Sequence, residues 1–541
     1  MLRYKAIETN NTKVRNMKIV RFSCMAVAAL MLLASCGNKA GKSTATGWNY
    51  NDPEWGGFEV SNAREQGTAP GLVFIEGGSF VMGHVTQDDR YKWDNVAHTV
   101  TVSSFYIDEC EVSNVMYREF VYWMNRAYGE EYSEKVRAIY PDTAAWRDKL
   151  AWRESCVDHY FQSPSYDDYP VVGVSWEQAS KYCVWRTDRL NEKILVDRGI
   201  LMLDQENIGS NAFQTDVYLA GRYEGEVREG LEDLNPAAGG EERQVRKTDG
   251  ILYPYYRLPT EAEWEFAALG LIGNTYDERV VEHKTYPWAG QSLRSANKKY
   301  YGQFLANFKR SRGDAMGVAG NLNDGWDYTC PVKWYFPNDY GLYNMAGNVS
   351  EWCMDVYRKV VNPRGGEDLD PFRGNIYRTY EVDEDGEVLI GEDGLIAYKD
   401  APVDYNRRNY RQANNVNYLD GDRASNLGTD GWQPAETESG DEEGEEGEES
   451  GFEDEEGEEE VSGESEDDMW TNNMYLRKSD NQKETPTSSM VNNKVRVVKG
   501  GSWKDRAYYL QSSTRRYYDQ DKSTAWIGFR CAMDRLGSRS K

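Results

Sequence analysis

The stretch Asn338-Asp339-Tyr340-Gly341-Leu342-Tyr343-Asn344-Met345-Ala346-Gly347-Asn348-Val349-Ser350-Glu351-Trp352 gathers hard oxygen donors in a segment that cannot be regular helix or strand. Asn344 and Glu351 offer side-chain oxygens, and a winding backbone turns the carbonyls of Gly347 and Val349 the same way. That donor set suits a calcium ion, which takes oxygen ligands in flexible geometry. The alternative is an Asn-capped turn beside a solvated Glu351. Gly and Asn tolerate left-handed backbone angles, so the spacing predicts a tightly wound loop. Tyr340, Tyr343 and Trp352 predict that the loop is buried.

Other chemistry is sparse. The four histidines, His84, His98, His159 and His283, are scattered, and no CxxC pair occurs, so zinc-site spacing is absent. Beyond the N-terminal region the cysteines are Cys110, Cys156, Cys183, Cys330, Cys353 and Cys531, an even number that permits disulfides in an exported chain. The net charge of −27 is local in origin: 20 acidic residues and no Lys or Arg lie between Glu436 and Asp468. No basic patch offsets them, which argues against nucleic acid as a partner. Like charges keep that tract from collapsing, so it reads as a solvated spacer, with a calcium buffer or an acidic contact arm as the functional alternative.

Lys18 and Arg21 precede an apolar run from Met25 to Leu33, too short to span a bilayer and shaped like a secretory signal. It ends in Leu33-Ala34-Ser35-Cys36, which resembles the lipobox of bacterial lipoproteins. That resemblance implies that Cys36 becomes the first mature residue and carries several acyl chains, a firm membrane anchor. Met17 is the expected initiator. Residues 36–71 read as a polar, lipidated tether.

The elements that must position the loop follow. Leu72 to Gly83 reads as a hairpin, two apolar runs about Gly77-Gly78, and Thr99 to Ile107 as a third strand. Ser113 is placed to cap a helix through Asn125 that presents Met116, Phe120 and Trp123 on one side. Ser175-Trp176-Glu177-Gln178 and Thr260-Glu261-Ala262-Glu263 are capping boxes. The first opens a helix with Trp176, Ala179, Cys183 and Leu190 on one face, and the second a short helix burying Trp264 and Ala268. Inserts are expected at 128–169 and 191–254, an irregular insert with short β pieces (Glu387 to Ile390, Leu395 to Tyr398) at 354–435, and the acidic disordered tract at 436–485. Order resumes at Val495 and runs to Cys531, in the C-terminal part, 486–541.

Taken together, five motifs fall in an order that resembles one family. They are Phe74 to Gly83, Tyr169 to Trp176, Tyr256 to Glu265, the 338–352 loop, and the C-terminal pair Gly500-Gly501-Ser502-Trp503 and Gly528-Phe529-Arg530-Cys531. The family is the formylglycine-generating (sulfatase-modifying factor) family, and the resemblance spans about 72–353 and 495–534. It implies an α+β fold, a loop-rich variant of the C-type lectin fold with little regular secondary structure. It also implies oxidation of a sulfatase cysteine by molecular oxygen on copper held by two cysteines. Thiolates suit Cu(I) because they are soft. Counting from Gly500, those two positions are Asp505 and Leu510 here, so no copper and no catalytic residue is expected. Two calcium ions are implied, one at Asn307, Phe308 (carbonyl), Asp324 and Trp326 (carbonyl), the other at Asn344, Gly347 (carbonyl), Val349 (carbonyl) and Glu351. Cys183 and Cys531 match one family disulfide; Ala268 and Arg515 stand where the other would be. Cys110, Cys156, Cys330 and Cys353 leave three connectivities open.

A closer resemblance concerns the lipobox, the missing copper cysteines, Asp142-Thr143 to Trp146-Arg147, Trp185 to Glu192 and Asn406 to Asn415. These are similar to the gliding-motility lipoprotein J family, sister to lipoprotein K of the type IX secretion ring. The resemblance implies a non-catalytic structural lipoprotein on the periplasmic face of the outer membrane, with other type IX secretion and gliding-motility proteins as partners. Two alternatives stand beside it: an oxygen-dependent enzyme rebuilt around Asp505, and a glycan-binding lectin-like module.

Overall fold

The computed structural model describes residues 41–61, 66–84, 97–129, 132–148, 152–203, 212–271, 284–309, 328–357, 378–400 and 494–537, with short breaks inside 212–271 and 378–400, together with Asn95 and Trp326. Cys36, Asp324, Glu387, Leu395 and the acidic tract lie outside the described residues. The chain divides into two compact units, Met1–Arg64 with Glu229–Gly250, and Glu65–Arg228 with Ile251–Lys541.

In the smaller unit the expected tether carries structure. Lys42 bridges Asn49, and Asn51 clasps Val60 through both its side-chain oxygen (2.7 Å from the Val60 nitrogen) and its amide (3.0 Å to the Val60 carbonyl). Arg243 joins Glu59 and Asp249, and its hydrogen bonds hold the Glu59 carboxyl below its ordinary range.

The larger unit is built on two four-stranded sheets. In the first, β1 (Leu72–Ile75), β4 (Phe105–Asp108), β10 (Ala532–Asp534) and β5 (Tyr256–Arg257) lie in that order, all antiparallel. The second has the order β8 (Arg516–Asp519), β7 (Val495–Lys499), β6 (Ser350–Val356), β9 (Ile527–Gly528), with β9 parallel to β6. A separate ribbon pairs β2 (Gly78–Met82) with β3 (His98–Val102).

The expected 72–83 hairpin is therefore corrected: β1 and β2 pair with different partners, in different sheets. Gly77 marks the break because a Cβ there would stand 2.3 Å from the Val102 carbonyl oxygen. The single strand expected over 99–107 is likewise two, β3 and β4. All four residues of β4 are buried, as its place between β1 and β10 requires.

Three of the helices among the described residues bear on the sequence reading. In α1 (Asn114–Tyr128) the buried residues include Tyr117, Phe120 and Val121, while Met116 is exposed, so the buried stripe is turned one position from the expected one. Ser113 occupies the N-cap position without a side-chain capping bond. The capping box of α2 (Trp176–Asp197) forms as read: Ser175 Oγ accepts from the Gln178 nitrogen (3.2 Å) and Gln178 Oε1 from the Ser175 nitrogen (2.9 Å). Of its expected face, Ala179 and Cys183 are buried, and Trp176 and Leu190 are partly so. The box of α3 (Glu261–Leu269) forms too, between Thr260 and Glu263. Every residue of α3 is buried, including three glutamates, which must therefore find partners inside the protein.

Strand β6 separates two apolar clusters because successive side chains point to opposite faces. Trp352 joins Val498, Ile527 and Tyr182; Cys353 joins Val497, Trp264 and Phe80. Glu351 is thereby carried to the centre of the unit.

Candidate functional site

The loop before β6 winds as its Asn and Gly content predicts. Asn344 (φ 51°), Gly347 (φ 80°) and Asn348 (φ 61°) all take left-handed angles. Glycine is required at 347 for a second reason: a Cβ would lie 2.4 Å from the Asn307 carbonyl oxygen. That close approach brings the two expected ion sites together, with the Asn348 nitrogen donating to the Asn307 carbonyl at 2.9 Å. Trp352 is fully buried, whereas Tyr340 and Tyr343 are only partly so.

Glu351 is fully buried rather than solvated, and its charge is answered by protein. Arg530 donates from Nε and Nη2 to the two carboxylate oxygens at 2.6 Å each, and Trp264 Nε1 adds a third bond at 2.7 Å. The same guanidinium donates to the carbonyls of Asp108 (3.1 Å) and Tyr343 (2.9 Å). A second buried carboxylate, Glu111, accepts from the side-chain amides of Asn344 (2.9 Å) and Asn348 (3.0 Å). Burial, and next the charge of Glu351, push its carboxyl up to about 8. Glu111 escaped the sequence reading because nothing in its neighbourhood sets it apart; Arg530 was visible only as part of a motif.

Two amide oxygens bear on the expected cations. Asn307 Oδ1 and Asn344 Oδ1 are buried and accept no hydrogen bond. Their amide nitrogens are engaged, with Tyr328 O at 2.6 Å and with Glu111 and Val332 respectively, which fixes the bare oxygens in place. Buried acceptors without donors favour positive charge, and these are hard oxygens of the kind calcium takes. Glu351 Oε1 accepts one bond and keeps acceptor capacity. The residues present thus fit a hard cation. Among the described residues no group of three or more His, Cys, Asp or Glu side chains converges as metal ligands, so amide and backbone oxygens would carry much of the coordination. Asp324 lies outside the described residues; Phe308 is buried, and the Trp326 ring packs against Trp334.

Asp505 and Leu510 stand apart in chemistry. Asp505 Oδ2 accepts from Ser502 Oγ at 2.6 Å and pairs with Arg516. The Arg516 guanidinium in turn lies over Trp526, 4.2 Å from the ring centre. Leu510 is fully buried among Tyr286, Ala306, Phe308 and Ala346. A carboxylate tied to arginine and an aliphatic side chain offer no soft ligand to Cu(I). The six described cysteines are buried; burial pushes the Cys110 thiol up to about 12 and that of Cys353 well above the usual range. Buried thiols of this kind are chemically inert.

The structure brings Cys183 and Cys531 together, Sγ to Sγ 3.5 Å, where the resemblance implies a disulfide; both are thiols here. At the other implied disulfide an ion pair connects the same two segments. Arg515 Nε donates to Glu261 Oε1 at 2.7 Å, and Glu261 sits on α3, the helix that carries Ala268. Lys499, with no exposed side-chain surface, pairs with Glu265 at 2.8 Å and reaches Glu261 at 3.6 Å.

The chain matches the family described as "Sulfatase-modifying factor enzyme 1-like domain" over residues 57–429 and 457–535. It is 26% identical to the mouse formylglycine-generating enzyme over 322 residues, spanning 54% of this chain and 62% of that protein's length. The formylglycine-generating enzyme of Thermomonospora curvata is 26% identical, with 57% of this chain and 82% of the relative covered. The mouse inactive C-alpha-formylglycine-generating enzyme 2 is 25% identical, covering 56% and 73%. Among solved structures, PvdO from Pseudomonas aeruginosa superposes with a TM-score of 0.38 at 15% identity, over 86% of this chain and 100% of that one. With motifs, loop and family match in agreement, this mixed α/β, loop-rich chain belongs to the sulfatase-modifying factor family.

Proposed function

We propose that the chain is a catalytically silent member of this family: a lipid-anchored scaffold on the periplasmic face of the outer membrane that binds other components of the gliding-motility and type IX secretion machinery. The first half rests on Asp505, paired with Arg516, and on buried Leu510, the two residues that the resemblance sets at the copper-holding cysteine positions of the enzymes. Relatives named as inactive formylglycine-generating enzymes support the same reading. The lipobox-like Leu33 to Cys36 and the lipoprotein J-like segments support the second half. The C-type-lectin-like topology implied by the resemblance belongs to this reading, as does oxidation of Cys183 and Cys531 to a disulfide in an exported chain. Chemical crosslinking of intact cells followed by pulldown from outer membranes tests it. Recovery of secretion or motility proteins crosslinked to this chain is expected; recovery of the chain alone would count against the scaffold.

Calcium fits this role as a structural ion. Asn344, Glu351 and the carbonyls of Gly347 and Val349 would hold one, and Asn307, Asp324 and the carbonyls of Phe308 and Trp326 the other. An ion bound only by the folded chain stabilises it by mass action. At calcium about 100-fold above its Kd, chelation is expected to lower the Tm by roughly 5–10 °C. A melting curve indifferent to chelator and to added calcium would remove the ion.

A further inference from the structure

Residues 41–61 hold an unusual surface. Trp48 is 54% exposed, Trp55 46%, Phe58 66% and Val60 39%, all within 13 residues of chain. Trp48 and Trp55 meet edge to face with ring centres 5.9 Å apart, and Phe58 leans on Tyr50 at 5.6 Å. The backbone beneath them is pinned by polar contacts. Asn51 clasps Val60, Asp52 accepts from the Glu54 nitrogen at 3.1 Å, and Glu59 is tied to Arg243. Gly57 packs so tightly that a Cβ would fall 1.8 Å from the Leu234 carbonyl oxygen. The aromatic rings are thus presented by a fixed loop, with little apolar cover of their own.

Four large apolar side chains exposed so close together in the chain offer an interaction surface, and their position in the chain points to its occupant. Gly41, the first described residue, is five residues from Cys36, a span of at most about 18 Å. If Cys36 carries acyl chains, the cluster is held within reach of the bilayer surface. Trp and Tyr favour that boundary because an apolar ring is joined to a polar N–H or O–H. Asp52, Glu54 and Glu59 interleave with the aromatic residues along the chain and argue against electrostatic attraction to anionic lipid, so the contact is apolar in origin.

We propose that Trp48, Trp55, Phe58 and Val60 form a membrane-interface contact that seats the N-terminal unit in the headgroup layer beside the lipidated cysteine. The proposal rests on the acylation of Cys36, and one experiment separates the two. The full acylated chain is reconstituted in zwitterionic phosphatidylcholine vesicles containing a photoactivatable phosphatidylcholine, irradiated, digested with trypsin and mapped by mass spectrometry. Cleavage after Lys42 and Arg64 places all four side chains on one peptide, 43–64, and the mass of peptide 36–39 reports acylation separately. Lipid adducts concentrated on 43–64, insensitive to salt, are expected. The Trp48→Ala/Trp55→Ala/Phe58→Ala variant should lose about tenfold or more in adduct yield while keeping its Tm, because these side chains are exposed. An acylated 36–39 peptide with no adducts on 43–64 would overturn the contact and leave the anchor standing. Equal yield in the triple variant would overturn it too, since tether proximity alone would then explain the labelling. An unmodified 36–39 peptide would refute the anchor; the mature chain would then have to float with the same vesicles unaided, and failure to do so would overturn the contact as well.

Discussion

Replacing Arg530 with alanine is expected to lower the free energy of unfolding by about 3–5 kcal/mol, read by urea denaturation at neutral pH. The size follows from what is left behind. Glu351 is fully buried and takes two charge-assisted bonds from this one guanidinium, so the variant strands a carboxylate with only Trp264 Nε1 as donor. The carbonyls of Asp108 and Tyr343 lose their bonds to it at the same time. Arg530→Lys keeps a positive charge but not the planar fork, and should fall between wild type and Arg530→Ala. A loss under about 1 kcal/mol for the alanine variant would mean that the pair is not the tie between the 338–352 loop and the C-terminal strands.

Arg515→Ala should cost less, about 3 kcal/mol, because Lys499 remains beside the stranded Glu261 at 3.6 Å. Arg515 and Glu261 are both buried, and the guanidinium also lies over the Tyr357 ring, 4.9 Å from its centre. The penalty comes chiefly from the unpaired carboxylate, so it should shrink when the partner charge is removed as well. Glu261→Gln/Arg515→Met is therefore expected to be more stable than Arg515→Ala alone, and the two single changes to couple in a double-mutant cycle. Strictly additive effects would refute the view that this ion pair joins the two segments that a disulfide would join in the resemblance.

Local chemistry was legible in the sequence; long-range pairing was not. Both capping boxes formed because their partners are three residues apart and the bond needs nothing else. The left-handed Asn and Gly positions of the central loop are a property of those residues alone. Two apolar runs marked Leu72 to Gly83 as strands, but such runs carry no information about which strand lies alongside, and Gly77 serves as a break where a turn was read. The 41–61 segment looked like a linker from its polar content. Local contacts such as the Asn51–Val60 clasp are joined by one from far away, Arg243, 184 residues from Glu59. The same holds for Glu351, read from its neighbours as a metal ligand or a solvated group. Its main partner, Arg530, is 179 residues further on.

In the proposed reading the copper positions of the enzymes fall on Asp505 and Leu510, here an arginine-paired carboxylate and a buried aliphatic side chain. Oxygen uptake tests that most directly. The purified chain, supplied with copper and a cysteine-containing sulfatase-type peptide, is followed with an oxygen electrode while the peptide is checked for formylglycine by mass spectrometry. No peptide-dependent oxygen consumption and no formylglycine are expected. Uptake that depends on the peptide, with formylglycine appearing in step, would contradict the account.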